Sequence, residues 1–278
     1  MKYLWTAFFV IFVVMFFSDM QAYAARKSVT TSGSAIIFGA TTFDQAKTLA
    51  INRARAAGIE AAAGISVNST TMMVGGLVSY DVIKTLSKGF IVSEKILKWQ
   101  TEWVTERESD QLPFPKITVN LDTIIEIPER SFIRSHVFDA QLNQTTFRNG
   151  EHVIFTIEPR EDIYLLIVNY TSKGSIIPVF PNSHTTDNAI PGGRAFYYPK
   201  PDSKEVHIEI NTFQYHDNDT EAFLLFALPV EADTKSIQWS KVFPAGEEMG
   251  YADFHEKLLE LPLRWLGEKI LIYTVNKI

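Results

Sequence analysis

Apolar and polar residues follow the periods of β-strands through the stretch 147–201, which organises the rest of the chain. The segment Val153–Glu158 alternates with period two, the pattern of a half-buried strand. Ile163–Val168 is continuously apolar, as expected for a central strand that is covered on both faces. The polar segment Asn169–Gly174 then predicts a hairpin connection into a further strand, Ser175–Phe180.

A polar loop leaves this predicted sheet. Pro178 and Pro181 limit ladder pairing, so the chain is expected to exit as a loop over Asn182–Gly193. Because recognition residues often lie on loops that a rigid scaffold presents, the loop and the tyrosines after it form the candidate binding surface. An ordered connection between two strands, without a binding role, is the alternative. The candidate residues are Asn182, Asp187, Asn188, Gly192, Gly193, Tyr197 and Tyr198.

The same stretch resembles a bacterial domain of unknown function, the one numbered four-three-eight-four. The resemblance rests on Asn149-Gly150-Glu151, the apolar run that ends in Asn169-Tyr170, and the exit Phe180-Pro181-Asn182 with Asp187-Asn188 downstream. It extends over about Ser135 to Val275. It implies a β-rich accessory module that occurs with varied partner domains and has no established active site.

The first half of the chain predicts one long helix on a small, mostly antiparallel sheet. Thr42 and Gln45 form a capping box, and the helix that they begin should run to Ala63 and end at Gly64. Its small apolar residues recur at helical spacing, whereas Lys47, Arg53, Arg55 and Glu60 lie mainly off that face. Expected strands are Ser34–Gly39, Ile65–Thr71, Phe90–Val104 and Lys116–Ile127, with a short helix at Val78–Leu86. Together these elements predict an α+β domain over residues 34–127.

This half resembles the N-terminal domain of the flagellar assembly protein T family. The residues that carry the resemblance are Ala46–Gly64, Asn68–Thr71 and Ser87–Gly89. It implies a bacterial envelope protein, but nothing in the sequence ties this chain to a flagellum.

The second half predicts a sandwich-like all-β domain. A charged linker at 128–135 separates it from the first half, and the domain then covers residues 136–278. Short strands with regularly spaced turns indicate a sandwich, with one short helix from about Gly246 to Leu261. The later strands are expected at His136–Leu142, Glu205–Asn211, Glu221–Leu228 and Lys269–Val275.

The N-terminus has the layout of a secretory signal peptide. Lys2 precedes the apolar run Tyr3–Phe17, and Ala22-Tyr23-Ala24 supplies small residues for cleavage after residue 24. An uncleaved anchor is the alternative, although a spanning helix needs about 20 apolar residues. We expect export to the periplasm, no stable membrane insertion after cleavage, and a disordered lead-in at 25–33.

Composition narrows the classes of partner. The formal net charge of −6 argues against nucleic acid as a partner. Because the chain has no cysteine, it has no disulfide, no thiol nucleophile and no cysteine-ligated metal.

No motif predicts a reaction, a metal or a cofactor. The six histidines are scattered, and His255-Glu256 lacks the second histidine of a zincin helix. Asp217-Asn218-Asp219 is too short for a calcium loop and is typical of a turn. A triad assembled from distant residues stays open.

These patterns favour an exported, non-enzymatic binding or assembly protein that acts through protein contacts in the bacterial cell envelope. Two alternatives belong to other classes. One is a hydrolase or transferase that acts on envelope material, and the other is a sensor that binds a small ligand between the two domains.

Overall fold

The computed structural model describes residues 26–39, 41–64, 89–105, 112–127, 137–231 and 237–277. The predicted signal peptide, the elements at 65–71 and 78–86 and the linker at 128–135 lie outside these ranges. No helix within them has both the length and the apolar character needed to cross a membrane.

The N-terminal unit is a three-stranded antiparallel sheet with one helix on it. The strands β1 (Arg26–Ile36), β2 (Phe90–Val104) and β3 (Phe114–Glu126) have the order β1-β3-β2. Helix α1 (Phe43–Ala63) covers one face. The sequence-based expectation of one helix with a small antiparallel sheet is confirmed.

The disordered lead-in expected at 25–33 is wrong. β1 begins at Arg26 and pairs with β3 without interruption, from Arg26 opposite Glu126 to Ile36 opposite Lys116. Most of this strand is rich in Ser and Thr and partly exposed. It therefore has too few apolar residues to show the alternating pattern by which a strand is predicted. Its threonines and Val29 favour extended backbone, and the central strand β3 supplies the hydrogen-bond partners.

The predicted helix boundaries are confirmed. The Thr42 hydroxyl accepts from the Gln45 N–H at 3.2 Å, and the Gln45 side chain accepts from the Thr42 N–H at 2.9 Å. Gly64 ends the helix in the left-handed conformation, with φ of 66°. The small residues of α1 pack on β3 in a buried cluster formed by Ala35, Ala46, Leu49, Ala50, Ala54, Ile117, Val119 and Leu121.

Gly33 allows α1 to lie unusually close to β1. A Cβ built at Gly33 would lie 2.1 Å from the Ala50 carbonyl oxygen and 2.4 Å from the Ala54 amide nitrogen. Both are backbone atoms of a long helix, so neither can move away cheaply.

We therefore expect Gly33→Ala to lower the free energy of unfolding by about 3 kcal/mol, since the helix must shift as a body. Urea unfolding monitored by circular dichroism measures this change. Gly39→Ala is the matched control: Gly39 has φ of 60° but open space around its Cβ position. It should cost only about 1 kcal/mol, the penalty of left-handed backbone. Equal losses at the two sites would contradict the close-approach explanation.

The C-terminal unit is a β-sandwich. Its main sheet has the order β10-β8-β13-β14-β5, with β9 also paired to β8, and a second sheet has the order β11-β7-β4. A short ladder joins β12 to β6. The strands are β4 (Phe138–Leu142), β5 (Thr146–Arg148), β6 (Glu151–His152), β7 (Phe155–Pro159), β8 (Ile163–Tyr170), β9 (Ile176–Phe180), β10 (Ala189–Ile190), β11 (Phe196–Tyr198), β12 (Glu209–Ile210), β13 (Asn218–Pro229) and β14 (Gly267–Asn276).

Both faces of the main sheet are buried. In β8, Ile163, Leu165 and Ile167 face the second sheet, whereas Leu166 and Val168 face the helices α2 (Trp239–Val242) and α3 (Tyr251–Leu259). The expectation that β8 is covered on both faces is therefore confirmed. A 3-10 helix, Leu263–Trp265, follows α3.

One strand is shorter than expected. Of the predicted strand Glu205–Asn211, Glu209–Ile210 alone has ladder pairing, with β6. The segment nevertheless alternates like a strand, since Ile210 is buried in the core between the sheets and Val206 and Ile208 pack against it. β6 is itself only two residues long, which limits the pairing of its partner.

The N-terminal and C-terminal units share a hydrophobic cluster. Ile59 of α1, Ile91 of β2 and Ile125 of β3 pack in the same cluster as Tyr170 and the α3 side chains. Two further clusters each lie within a single unit. The cluster between α1 and β3 belongs to the N-terminal unit, and the cluster between the two sandwich sheets belongs to the C-terminal unit. The units on the two sides of residues 128–135 therefore each have a hydrophobic core of their own, and they share a third hydrophobic cluster.

Candidate functional site

Asn182 organises the predicted binding loop from within. Its side-chain oxygen accepts from the backbone N–H groups of His184 and Thr185, each at 3.0 Å. Its amide nitrogen donates to the Tyr198 hydroxyl and to the Val179 carbonyl. Tyr198 is buried, and this burial raises the pKa of its hydroxyl to about 12. The two candidate residues are brought together, and they hold the loop on the sheet.

Most of the other loop candidates also make internal bonds. Asn188 is buried and donates to the Leu165 carbonyl at 3.0 Å, while the Asp187 carboxylate accepts from the Ala189 N–H at 3.0 Å. Gly192 lies against the backbone of Glu161 too closely for a Cβ, and Gly193 has φ of 76°. Loop geometry accounts for these four residues.

Among the predicted binding residues, Tyr197 has an aromatic side chain that is exposed to solvent, and the residue is 45% exposed. It lines a surface groove of about 660 Å³, which we call the Tyr197 groove. The lining residues are Ile190, Pro191, Arg194, Ala195, Phe196, Tyr197, Lys200, Pro201, Asp202, Ser203, Lys204 and Glu205.

The Tyr197 groove runs beside an open sheet edge. Among the described residues, β11 is the terminal strand of its sheet and pairs with β7 alone. The groove is lined by Phe196 and Tyr197 of β11 and by the segments on either side of this strand, and no residue of β7 lines it. This lining fits a groove along the side of β11 that faces away from β7, where no described strand bonds to the backbone.

Cations stand at both ends of this edge. Arg194 precedes β11 by two residues, and Lys200 follows it by two. Among the ion pairs of the described residues, none involves Arg194, Lys200 or Lys204. The sequence analysis missed these three residues, although basic residues on both sides of a short aromatic strand were a usable signal.

A hydroxyl, an imidazole and a carboxylate lie in line where α1 meets the C-terminal unit. His216 Nδ1 lies 2.7 Å from the Asp219 carboxylate, and His216 Nε2 lies 3.4 Å from the Thr42 hydroxyl. This is the order of groups in acyl-transfer enzymes. Here, however, the hydroxyl caps α1, and the second Asp219 oxygen accepts from the Phe213 N–H at 2.8 Å. Because Thr42 and Asp219 are engaged in these structural bonds, we interpret the cluster as a contact that holds α1 against the C-terminal unit.

A second polar contact between the units centres on Arg55. Its guanidinium binds both oxygens of Glu94, at 2.8 and 2.6 Å, and also reaches the Gly174 carbonyl and lies over the Tyr251 ring. Burial lowers the pKa of Arg55, but the hydrogen bond to Glu94 and the electrostatic interactions with Tyr170, Glu94 and Tyr251 together outweigh it and raise the pKa overall. Arg55 thus joins α1, β2, α3 and the hairpin that follows β8.

The histidines that the structure describes form no metal-binding cluster. In the described residues, no three His, Asp or Glu side chains converge as a metal would require. His255, the first residue of the zincin-like pair, is buried in the shared cluster and accepts from the Ile91 N–H at 3.0 Å. Burial first, and then the Arg55 charge, lower the pKa of His255 to about 3.

One comparison with known proteins gives a match. Residues 146–213 match the family described as "Domain of unknown function (DUF4384)". The match covers β5 to the segment after β12, and thus the loop and the Tyr197 groove, but it is narrower than the expected 135–275. It leaves the first 145 residues uncovered, so the N-terminal resemblance stays a prediction. No curated protein matches the chain.

Proposed function

We propose that this chain is an exported, non-enzymatic binding or assembly protein that acts through protein contacts in the bacterial cell envelope. The observation that carries the proposal is the distribution of exposed apolar side chains. Of nine large apolar side chains that are exposed in the described residues, seven belong to the N-terminal unit. They are Phe38, Phe43, Ile96, Leu97, Trp103, Leu112 and Ile124.

Three of these side chains lie on β2, which is an edge strand among the described residues. Ile96, Leu97 and Trp103 are 44%, 51% and 69% exposed, and within the described ranges β2 pairs with β3 alone. A fifteen-residue edge with exposed apolar side chains is the kind of surface that binds another protein by hydrophobic contact or by strand addition.

The periplasmic location rests on the signal-peptide pattern of residues 1–24. The proposed role in protein contacts is further supported by a β scaffold that is poor in catalytic motifs. Neither a cofactor nor a metal enters the proposal.

Site-specific photocrosslinking in the native host tests the proposal. A photoreactive amino acid at Leu97 should yield crosslinks to one recurring set of envelope proteins, identified by mass spectrometry. The same residue placed at Gln141, an exposed position on β4, is the control and should yield only abundant background. Identical products from the two positions, or no product at Leu97 above background, would count against a partner surface on β2.

A further inference from the structure

We infer that the Tyr197 groove binds an extended peptide segment that carries an acidic side chain, and that the segment adds as a strand to the free edge of β11. This site lies on the sandwich and is independent of the partner surface proposed on β2. The two can therefore be confirmed or refuted separately.

The backbone of β11 provides the first argument. Its three residues Phe196–Tyr198 are held on β7 by an antiparallel ladder, and the first two of them, Phe196 and Tyr197, line the groove. Alternate N–H and C=O groups on the side away from β7 are available to an incoming strand, which is how proteins with open sheet edges bind extended peptides.

The support behind the edge is rigid. Tyr198 is buried and bonded to Asn182, and Phe180 packs against the Tyr198 ring with the ring centroids 4.6 Å apart. Phe196 stacks on Tyr198 with an interplanar angle of 8°. Little ordering of the protein is needed on binding, which reduces the entropic cost of association.

Tyr197 supplies a contact for one side chain of the ligand. It is the central residue of β11 and is exposed, whereas its neighbours in the strand are more buried. A β-branched or aromatic residue opposite it would form the kind of cross-strand pair that stabilises sheets.

Charge selects the acidic ligand. The lining carries three basic residues, Arg194, Lys200 and Lys204, and two acidic ones, Asp202 and Glu205. Both acidic residues follow β11, near the two lysines, so the Arg194 end of the edge has no acidic residue in the lining. A carboxylate on the peptide can pair there with a guanidinium in a bidentate geometry.

A displayed library of random heptapeptides, selected on the purified full-length protein, tests the inference. The recovered peptides should be enriched in Asp or Glu and in a β-branched or aromatic residue a few positions away. Their affinity should fall at least tenfold in the Arg194→Glu, Lys200→Glu double variant and in Tyr197→Ala. It should also weaken as salt is raised, since the charges are exposed.

The matched control is the double variant Lys98→Glu, Lys277→Glu, which makes the same charge change at exposed sites outside the groove. It should change the affinity less than twofold. Strand addition has its own readout, because bound peptide should slow amide hydrogen exchange at Phe196–Tyr198. Peptides without acidic enrichment, equal losses in the two double variants, or unchanged exchange in β11 would each overturn the inference, as would failure to recover any groove-dependent peptide.

Discussion

Replacing Arg55 by alanine is expected to lower the free energy of unfolding by about 3–5 kcal/mol, the usual result of breaking a buried ion pair by removing one partner. The guanidinium is almost fully buried, whereas about a quarter of the Glu94 side chain is exposed, at 23%. Without Arg55, Glu94 loses its ion-pair partner, and the Gly174 carbonyl and the Asn52 side chain each lose a donor. Urea unfolding at neutral pH measures the loss.

The exposed pair between Arg26 and Glu126 provides the control. Its N–O distance of 3.0 Å is similar, but the Arg26 side chain is 58% exposed. Arg26→Ala should therefore cost less than about 1 kcal/mol. Glu94→Gln keeps the shape of the contact but leaves the buried Arg55 charge without its counterion, so it should also destabilise the protein. If Arg55→Ala and Arg26→Ala had equal effects, burial would not be what makes the Arg55 contact strong.

Acidification is expected to destabilise the protein through His255. The pKa of this residue is about 3 in the fold, against an ordinary value of 6.5. Between these two values the unfolded chain binds a proton that the folded protein does not. His255 therefore contributes stability above about pH 6.5, and this contribution is lost as the pH falls toward 3. Its upper limit is about 5 kcal/mol, at about 1.4 kcal/mol per pKa unit.

Glu268 acts in the opposite direction at higher pH. Burial raises the pKa of its carboxyl from 4.5 to about 8, although the residue as a whole is only half-buried. The folded protein thus retains a proton that the unfolded chain releases. Stability from Glu268 is present below about pH 4.5 and is lost as the pH rises toward 8. The two residues together predict greatest stability in mildly acidic solution.

Urea unfolding between about pH 3 and 9 separates these contributions, because the opposite effects of His255 and Glu268 cancel between about pH 4.5 and 6.5 and the acid limb lies below that range. His255→Gln should flatten the acid limb, and Glu268→Gln should flatten the alkaline limb. His184→Gln, the same substitution at an exposed histidine, is the matched control. An acid limb that persists in His255→Gln would show that other groups cause it.

The elements that the sequence predicted well are those specified by near neighbours. The capping box of Thr42 and Gln45, and the end at Gly64, rest on bonds within one turn of helix. The continuous apolar run of β8 identified a strand covered on both faces before any partner was known. Helix caps and apolar periods are local properties, so a sequence pattern can find them.

The roles of the polar residues in the predicted binding loop could not be predicted from the sequence. The sequence identified Asn182 and Asn188 as polar loop residues, which is equally true of a binding residue and of a structural one. In the structure, the Asn182 side-chain amide donates to the Tyr198 hydroxyl, and the Asn188 side-chain amide donates to the Leu165 carbonyl. These partners lie 16 and 23 residues away, and no local spacing predicts such bonds.

The sequence by itself determined the helix limits, the β-rich second half and the signal-peptide pattern. Tertiary structure decided that residues 26–33 form a strand, that Arg55 is buried between the units, and that the cations around β11 flank an open edge. The physical reason is that burial, charge pairing and edge exposure depend on which distant segments meet. Backbone hydrogen bonding within a helix and side-chain alternation along a strand do not.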